Sequence, residues 1–377
     1  MNTYLTKFLV QHSHVSIAVQ LEDEGFQVVL FGHRDHPEAR ATVAYTKRGF
    51  IIESAEEARA LPFYPKLATI AQTTVLQADY LEVVEALKAR TPGLKIGFIG
   101  AKVAVEPVES MQACPALDFV ARNEYDFTIK ELAEGADWST IKGLTWRDAS
   151  GQIVSNPERE ILVDMDKLPS VLPLYKQLDV KQYFGGYLLH PYMSWYTGRG
   201  CKSRCTFCLW PQTVGGHRYR TRSVQNVIDE VKWAKAAFPQ VREFFFDDDT
   251  LTDNLPRVEE LAKGLGKLGV TWSCNAKANV PRKTLEVLRD NGLRLLLVGY
   301  ESGNQQILHN IKKGMRVEQL REFSKNCHEL GLKIHGTFIV GLPGETKETI
   351  QETIAFAKEV NPYTLQVSLA AAYPGTF

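Results

Sequence analysis

The chain has 377 residues, enough for two or three domains, and its 44% hydrophobic content is sufficient for sizeable cores. Basic and acidic side chains balance at 44 each, which argues against a nucleic-acid or anionic membrane surface as the partner. Six cysteines, half of them in one short stretch, indicate a reducing compartment, and the absence of a signal peptide or a bilayer-spanning apolar run predicts a cytoplasmic location.

Residues 1–93 alternate between strand and helix patterns, which predicts a small parallel sheet. Apolar runs predict strands over 27–31, 50–52 and 67–71. A helix is expected over 78–90, because Leu81, Val84 and Leu87 recur at helical spacing.

Two motifs in this first stretch are unusual, His36-Pro37-Glu38 and Gln72-Thr73-Thr74. They resemble the central lobe of 4-hydroxy-3-methylbut-2-enyl diphosphate reductase, an iron–sulfur enzyme. The resemblance implies that His36, Glu38 and Thr73 face a diphosphate substrate. That enzyme needs its own cluster, however, and no cysteine precedes Cys114 in this chain. We therefore expect a structural lobe without reductase activity.

Residues 94–140 continue the α/β pattern with a strand at 94–100 and a second apolar stretch at 118–124. This part resembles the second half of cobalamin-binding Rossmann-type domains. The Asp-x-His-x-x-Gly element whose histidine ligates cobalt in such domains is absent, which argues against cobalamin binding. The prediction is one Rossmann-like lobe over 1–140, in which the resemblance changes near residue 93.

Residues 141–186 are predicted to form a linker and a small cover, with a hairpin of 144–147 and 152–154 around 149–151. From 187 to 377, six strand patterns follow, each but the last succeeded by a helix pattern. Right-handed crossovers would curl them into a partial (β/α)6 barrel. The predicted strands are 192–197, 241–246, 271–275, 294–299, 333–340 and 364–370. Functional groups in parallel barrels follow the carboxyl ends of the strands.

Cys201, Cys205 and Cys208 follow the first of these strands with CxxxCxxC spacing. A [4Fe-4S] cluster usually takes four thiolates, so three from one loop leave one iron open to bind a small molecule. The alternatives are a structural zinc site, which would need a second ligand pair, and a coincidence of core cysteines. The other three cysteines are isolated in the sequence, which disfavours zinc.

This spacing, with Phe207 just before the last cysteine, resembles the radical S-adenosylmethionine (SAM) enzymes. The resemblance implies that the three cysteines hold a [4Fe-4S] cluster whose open iron binds SAM. It also implies that one electron, from a partner such as flavodoxin or ferredoxin, cleaves SAM to a 5′-deoxyadenosyl radical that abstracts hydrogen from the substrate.

The same resemblance implies SAM contacts at the strand ends. Carboxylates suit the ammonium group and the ribose, a lysine suits the carboxylate, and a glycine-containing turn suits the adenine. Helix capping, packing or simple surface exposure is the alternative for each. The residues are Phe207 after the first strand, Asp248 or Asp249 after the second, Lys277 after the third, Glu301 and Ser302 after the fourth, and Gly341 and Glu345 after the fifth.

Residues 94–377 most resemble the hopanoid-biosynthesis radical SAM enzymes of the bacteriohopanetetrol cyclitol ether type, above all over 201–219 and 295–314. This implies ring contraction of a sugar on a hopanoid glycoside, a small or lipid-linked substrate. Such enzymes continue past the element at 372–376 with a region that closes the barrel mouth, so we expect SAM cleavage here to be poorly coupled to product. The alternatives are a non-catalytic cluster-binding fragment or fusion product and a cobalamin-dependent radical SAM methyltransferase.

Overall fold

The computed structural model describes residues 27–35, 39–40, 43, 46–62, 64, 67–71, 77–90, 93–177, 179–182, 184–213 and 215–376. His36, Glu38 and Thr73 lie outside these residues. The chain divides into two compact units, one of Met1–Ile161 with Pro173–Leu178 and one of Leu162–Leu172 with Asp179–Phe377. None of the helices within the described ranges combines the length and apolar character needed to cross a bilayer.

The first unit begins with the parallel sheet predicted from its three apolar runs. Its strands are β1 (Gln27–Phe31), β2 (Phe50–Ile52) and β3 (Leu67–Ala71), in the order β2-β1-β3. Helices α1 (Ala55–Ala60) and α2 (Gln77–Arg90) belong to the same part of the chain. Val29 of β1 and Val84 and Leu87 of α2 are buried in one core, which explains why their apolar spacing predicted these elements.

A second, four-stranded sheet completes this unit. It consists of β4 (Gly97–Ile99), β5 (Phe119–Ala121), β6 (Leu144–Arg147) and β7 (Ile153–Ser155) in that order, with helices α3 (Ala101–Val105), α4 (Pro107–Ala113) and α5 (Asp126–Ala133). β4 and β5 are parallel, whereas β6 and β7 form the predicted hairpin and continue the sheet in antiparallel fashion. The hairpin thus provides hydrogen-bond partners for the edge of β5.

The second unit is built on six parallel strands, which confirms the predicted partial barrel. The sheet order is β15-β14-β13-β12-β11-β8, and a short antiparallel pair, β9 with β10, lies beside it. The strands are β8 (Tyr192–Trp195), β9 (Gly198–Arg199), β10 (Arg220–Thr221), β11 (Glu243–Phe246), β12 (Trp272–Ala276), β13 (Leu293–Glu301), β14 (Lys333–Val340) and β15 (Thr364–Leu369). The helices are α6 (Trp210–Thr213), α7 (Val224–Ala237), α8 (Leu255–Leu268), α9 (Arg282–Asp290), α10 (Gln305–Asn310), α11 (Val317–Glu329) and α12 (Lys347–Val360).

Residues of the inner strands of this sheet, β11 to β13, alternate between two surfaces that are both largely buried. On one, Trp195 meets Phe244 and Phe246 edge-on. On the other, the ring of Tyr187 stacks on His335 with centroids 4.2 Å apart. The second surface is the concave interior of the half-barrel, and it is a packed core at this level.

The amino-terminal end of the half-barrel is closed by an ion pair. Arg294 donates to both carboxylate oxygens of Glu243, at 3.0 and 2.8 Å, and also to the carbonyl oxygen of Tyr187 at 2.7 Å. The backbone N–H of Leu189 donates to the same carboxylate at 2.5 Å. The groups available for chemistry therefore lie at the carboxyl ends of the strands.

Candidate functional site

The loop after β8 is shaped by Gly200, which has φ +88°. A Cβ atom placed there would lie 2.4 Å from the carbonyl oxygen of Arg218, 2.9 Å from that of Gly215 and 3.0 Å from that of Gly216. Only glycine satisfies both the left-handed backbone and this close approach. The loop that carries the cysteines is thereby pressed against the chain leading into β10.

Cys201, Cys205 and Cys208, hereafter the thiol triplet, lie in this loop. Cys201 and Cys205 are each 8% exposed and Cys208 is half-buried. Burial raises the pKa of Cys205 and raises the pKa of Cys208 to about 12. Without a metal these two thiols are protonated at neutral pH, so metal binding would release protons.

The triplet offers three thiols, one ligand fewer than a structural zinc site takes. Within the described part of the chain, no three or more His, Cys, Asp or Glu side chains are grouped so that they could hold one metal ion. A zinc ion needs such a group around it. A [4Fe-4S] cluster is larger, so its thiolates stand farther apart, and three thiols supplied by one buried loop suit it.

Next to Cys201 lies an ion pair of Asp253 and Lys277. The Lys277 Nζ is 2.9 Å from Asp253 Oδ1, and the Asp253 Oδ2 is 4.0 Å from the Cys201 Sγ. The backbone N–H of Lys202 donates to the same Oδ2 at 3.3 Å. Lys277, predicted to bind the SAM carboxylate, is thus paired with Asp253. The residue that caps α8 is Asn254, whose side chain accepts a hydrogen bond from the Arg257 N–H.

Through its hydrogen bonds, the Asp248 side chain connects the loops that follow β8 and β11 with the segment that leads into β10. It is 0% exposed and accepts hydrogen bonds from the Thr197 N–H at 2.5 Å, the Thr197 hydroxyl at 2.8 Å and the Tyr219 hydroxyl at 2.6 Å. Burial raises the pKa of Asp248 despite these donors. Asp248, one of the two aspartates predicted to contact SAM, therefore bonds to groups of the protein itself. Asp249 is only half-buried and accepts from the Gly200 N–H at 2.8 Å.

Glu301 occupies a strained turn at the end of β13. Its φ is +65°, and the Ser302 N–H donates to the Tyr300 carbonyl oxygen at 2.9 Å across it. The register between β13 and β14 shifts at this point. The Glu301 Oε1 lies 2.7 Å from the Nζ of Lys313, and both side chains are nearly buried. Strain of this kind in a non-glycine residue is characteristic of functional positions.

The remaining predicted polar residues form hydrogen bonds with nearby groups of the protein. The Ser302 hydroxyl is fully buried, 3.0 Å from the Thr353 hydroxyl, so it joins β13 to α12. Glu345 folds back to accept from the Gly341 N–H and, at 3.0 Å, from the Leu342 N–H. Phe207 is half-buried. The structure therefore groups Asp249, Asp253, Lys277, Glu301 and Lys313 around the triplet but not Ser302.

Sequence reasoning singled out neither Lys313 nor Asp253. Lys313 follows Lys312, and nothing in the sequence separates the half-buried lysine from its exposed neighbour. Asp253 stands one residue before the true cap, Asn254. A signal for Asp253 did exist, because it is one of four aspartates between 247 and 253, a number that capping alone does not need.

The chain matches the sequence model of the Radical SAM superfamily over residues 195–357 and that of the LytB protein over residues 6–107. It is 30% identical over 321 residues to an uncharacterized methyltransferase of Pyrococcus horikoshii, covering 83% of this chain and 68% of the relative. It is 26% identical over 340 residues to cytidylyl-2-hydroxyethylphosphonate methyltransferase of Streptomyces wedmorensis, covering 79% of this chain and 62% of the relative. The chain thus spans about two thirds of the length of these curated relatives.

Two solved structures share the fold. TsrM from Kitasatospora setae, a radical SAM methyltransferase solved with cobalamin and a [4Fe-4S] cluster, gives a TM-score of 0.66 at 16% identity, covering 100% of this chain and 74% of TsrM. OxsB, a cobalamin-dependent SAM radical enzyme solved with aqua-cobalamin and SAM, gives a TM-score of 0.63 at 16% identity. The match covers 94% of this chain and 52% of OxsB. At such identity the likeness concerns the fold alone.

Proposed function

The chain belongs to the radical SAM superfamily, and we propose that it is a methyltransferase of that superfamily whose cluster is held by Cys201, Cys205 and Cys208. As a radical SAM enzyme it uses a [4Fe-4S] cluster and SAM. The observation that carries the assignment of ligands is the thiol triplet itself. Its three thiols come from one loop at the carboxyl end of β8, and two of them, Cys201 and Cys205, are buried.

In this proposal the chain's own residues hold and orient SAM. Asp249 is the better placed of the two aspartates for the SAM ammonium group, because it keeps exposed surface and its carboxylate is fixed by the Gly200 N–H, one residue before Cys201. Glu301 supplies a carboxylate for the ribose hydroxyls. The turn of Gly341 and Glu345 supplies backbone for the adenine, and Glu345 stiffens that turn by accepting two of its N–H groups.

When bound, the cluster supplies the electron that cleaves SAM. The protein has to shield such chemistry from water. Burial of Cys201 and Cys205 and the closed amino-terminal end of the half-barrel support this role. An electron donor such as flavodoxin or ferredoxin, a small-molecule substrate and a cytoplasmic location complete the proposal.

Methyl transfer is favoured over ring contraction of a hopanoid sugar. The curated relatives described above are named for methyl transfer, and neither is named for a hopanoid. The hopanoid reaction rests on sequence resemblance alone. It stays the second candidate, because both reactions begin with SAM at the same open iron.

Cobalamin takes part in no step of this proposal. The lobe has no Asp-x-His-x-x-Gly element, and residues 36–38 and 72–76 lie outside the described residues. No residue within the described ranges can therefore be assigned to the cobalt. Cobalt analysis of the purified protein decides whether cobalamin is bound.

The test is an anaerobic reaction of the reconstituted protein with methyl-labelled SAM, a strong reductant and a deproteinised cell extract. Methyl transfer predicts 5′-deoxyadenosine and methionine from the SAM that is reductively cleaved, and S-adenosylhomocysteine with a labelled small molecule from a second SAM that gives up its methyl group. None of these products should form when the triplet is replaced by alanine. A parallel reaction with the glucosaminyl hopanoid that yields 5′-deoxyadenosine and a cyclitol, without label transfer, would instead establish ring contraction. An intact cluster with no cleavage of SAM would refute both reactions.

A further inference from the structure

The ion pair of Lys313 and Glu301 is nearly removed from water. Their side chains are 10% and 8% exposed, and Nζ and Oε1 are 2.7 Å apart. Burying two charges costs desolvation that their attraction does not reliably recover, so such a pair is weak evidence for a purely stabilising role. Its position at the carboxyl end of β13 points to a role in the site.

Lys313 faces the cluster loop as well as Glu301. It interacts electrostatically with Cys205 and Cys208. The Thr206 N–H donates to the Ile311 carbonyl oxygen at 3.0 Å, which fixes the cluster loop to the segment that carries Lys313. The ammonium group that pairs with Glu301 therefore belongs to a segment that is hydrogen-bonded to the cluster loop.

The neighbouring backbone leaves room for this pair. A Cβ atom at Gly299 would lie 2.3 Å from the Glu301 Oε1 and 3.0 Å from the Lys313 Nζ. Any side chain at that position would displace one or both charged groups. The glycine and the strained turn at Glu301 together fix where the carboxylate points.

We infer that Lys313 is a positioning residue that holds the Glu301 carboxylate for SAM and sets a fixed positive charge beside the thiol triplet, favouring the reduced cluster. Reduction adds negative charge to the cluster, and a nearby desolvated cation stabilises that charge more strongly than a solvated one. This inference rests on the proposed function for the cluster and for Glu301, and it adds a residue to which the comparisons assign no role.

The experiment compares Lys313→Met and Lys313→Arg with Lys312→Met, a matched removal of an exposed charge one residue away. Iron content, the midpoint potential of the cluster without SAM, and the SAM dissociation constant are measured on anaerobically reconstituted protein. Lys313→Met should keep iron, lower the potential and weaken SAM binding by about tenfold to a hundredfold. Lys313→Arg should restore the potential, and Lys312→Met should match the wild type.

Removing Lys313 alone leaves Glu301 buried and unpaired, which could unfold the protein. The double variant Lys313→Met/Glu301→Gln removes that charge as well. Its potential should still lie below that of the wild type, because the inference makes the Lys313 ammonium group, and not the Glu301 carboxylate, the charge that acts on the cluster. A wild-type potential in the double variant, or wild-type SAM affinity in Lys313→Met, would overturn the inference. A wild-type protein that binds no cluster would refute the proposed function instead.

Discussion

Replacing Gly200 by alanine perturbs the cluster loop without touching any thiol. The new Cβ atom would meet three backbone carbonyl oxygens at 2.4, 2.9 and 3.0 Å. Backbone atoms cannot swing aside as a flexible side chain can. The chain that carries these oxygens leads directly into β10, which is paired with β9, so a shift would propagate into both strands.

The expected cost has two parts. A left-handed backbone costs an L-residue about 1–2 kcal/mol. Overpacking a site that cannot relax adds about 1–3 kcal/mol. The free energy of unfolding of Gly200→Ala should therefore fall by about 2–5 kcal/mol. Because Cys201 is the next residue, the protein should also retain less iron.

Gly331→Ala is the matched control. Gly331 has φ +70°, and a Cβ atom there would have no neighbour within 4 Å. It should cost only the backbone part, about 1–2 kcal/mol, and keep a full cluster. Denaturant unfolding and iron analysis of both variants give the comparison. Equal losses of stability, with wild-type iron in Gly200→Ala, would refute the close-approach argument.

Three further predictions concern separate features. Replacing the thiol triplet by alanine should abolish iron binding, whereas Cys327→Ala should retain it; unchanged iron in the triple variant would remove the proposed ligands. Replacing His36, Glu38 and Thr73 should leave SAM cleavage unaltered. The protein should make no isoprenyl product from the reductase's diphosphate substrate, because residues 1–93 contain no cysteine to hold a cluster; any cluster-dependent yield of isoprenyl product contradicts this. Burial lowers the pKa of His335 in the folded state. At pH values between this lowered pKa and the ordinary one, the unfolded state binds more protons than the folded state, so the free energy of unfolding should fall as the pH drops through that window. In His335→Phe the free energy of unfolding, measured at several pH values, should fall less over this window. The same dependence on pH in the variant and the wild type would refute the prediction.

The sequence predicted the strands well but not their exact ends. Apolar runs located all six strands of the half-barrel. Burial on both surfaces requires such runs in the inner strands β11, β12 and β13, whereas the apolar residues of β15 are exposed. β8 ends at Trp195 although the pattern continues to Thr197, and β13 extends to Glu301 beyond the predicted end. Strand ends depend on which neighbours supply hydrogen bonds, as at the register shift beside Glu301.

For the candidate site, the sequence could predict which groups occur but not their partners. The aspartates at 248 and 249 look alike in the sequence, yet in the loop after β11 their side chains bond to different groups. Asp248 turns toward Tyr219 and Thr197, 29 and 51 residues away, and is enclosed. Asp249 turns toward the Gly200 N–H and keeps exposed surface.

The sequence by itself determined the thiol triplet, the strand–helix order and the glycine before the first thiol, because each depends on spacing within a short segment. Only the tertiary structure decided which charges are paired. It set Lys277 against Asp253 and Lys313 against Glu301. Ion pairing depends on separation in space and on burial, and both follow from how distant strands and loops pack together rather than from the order of residues along the chain.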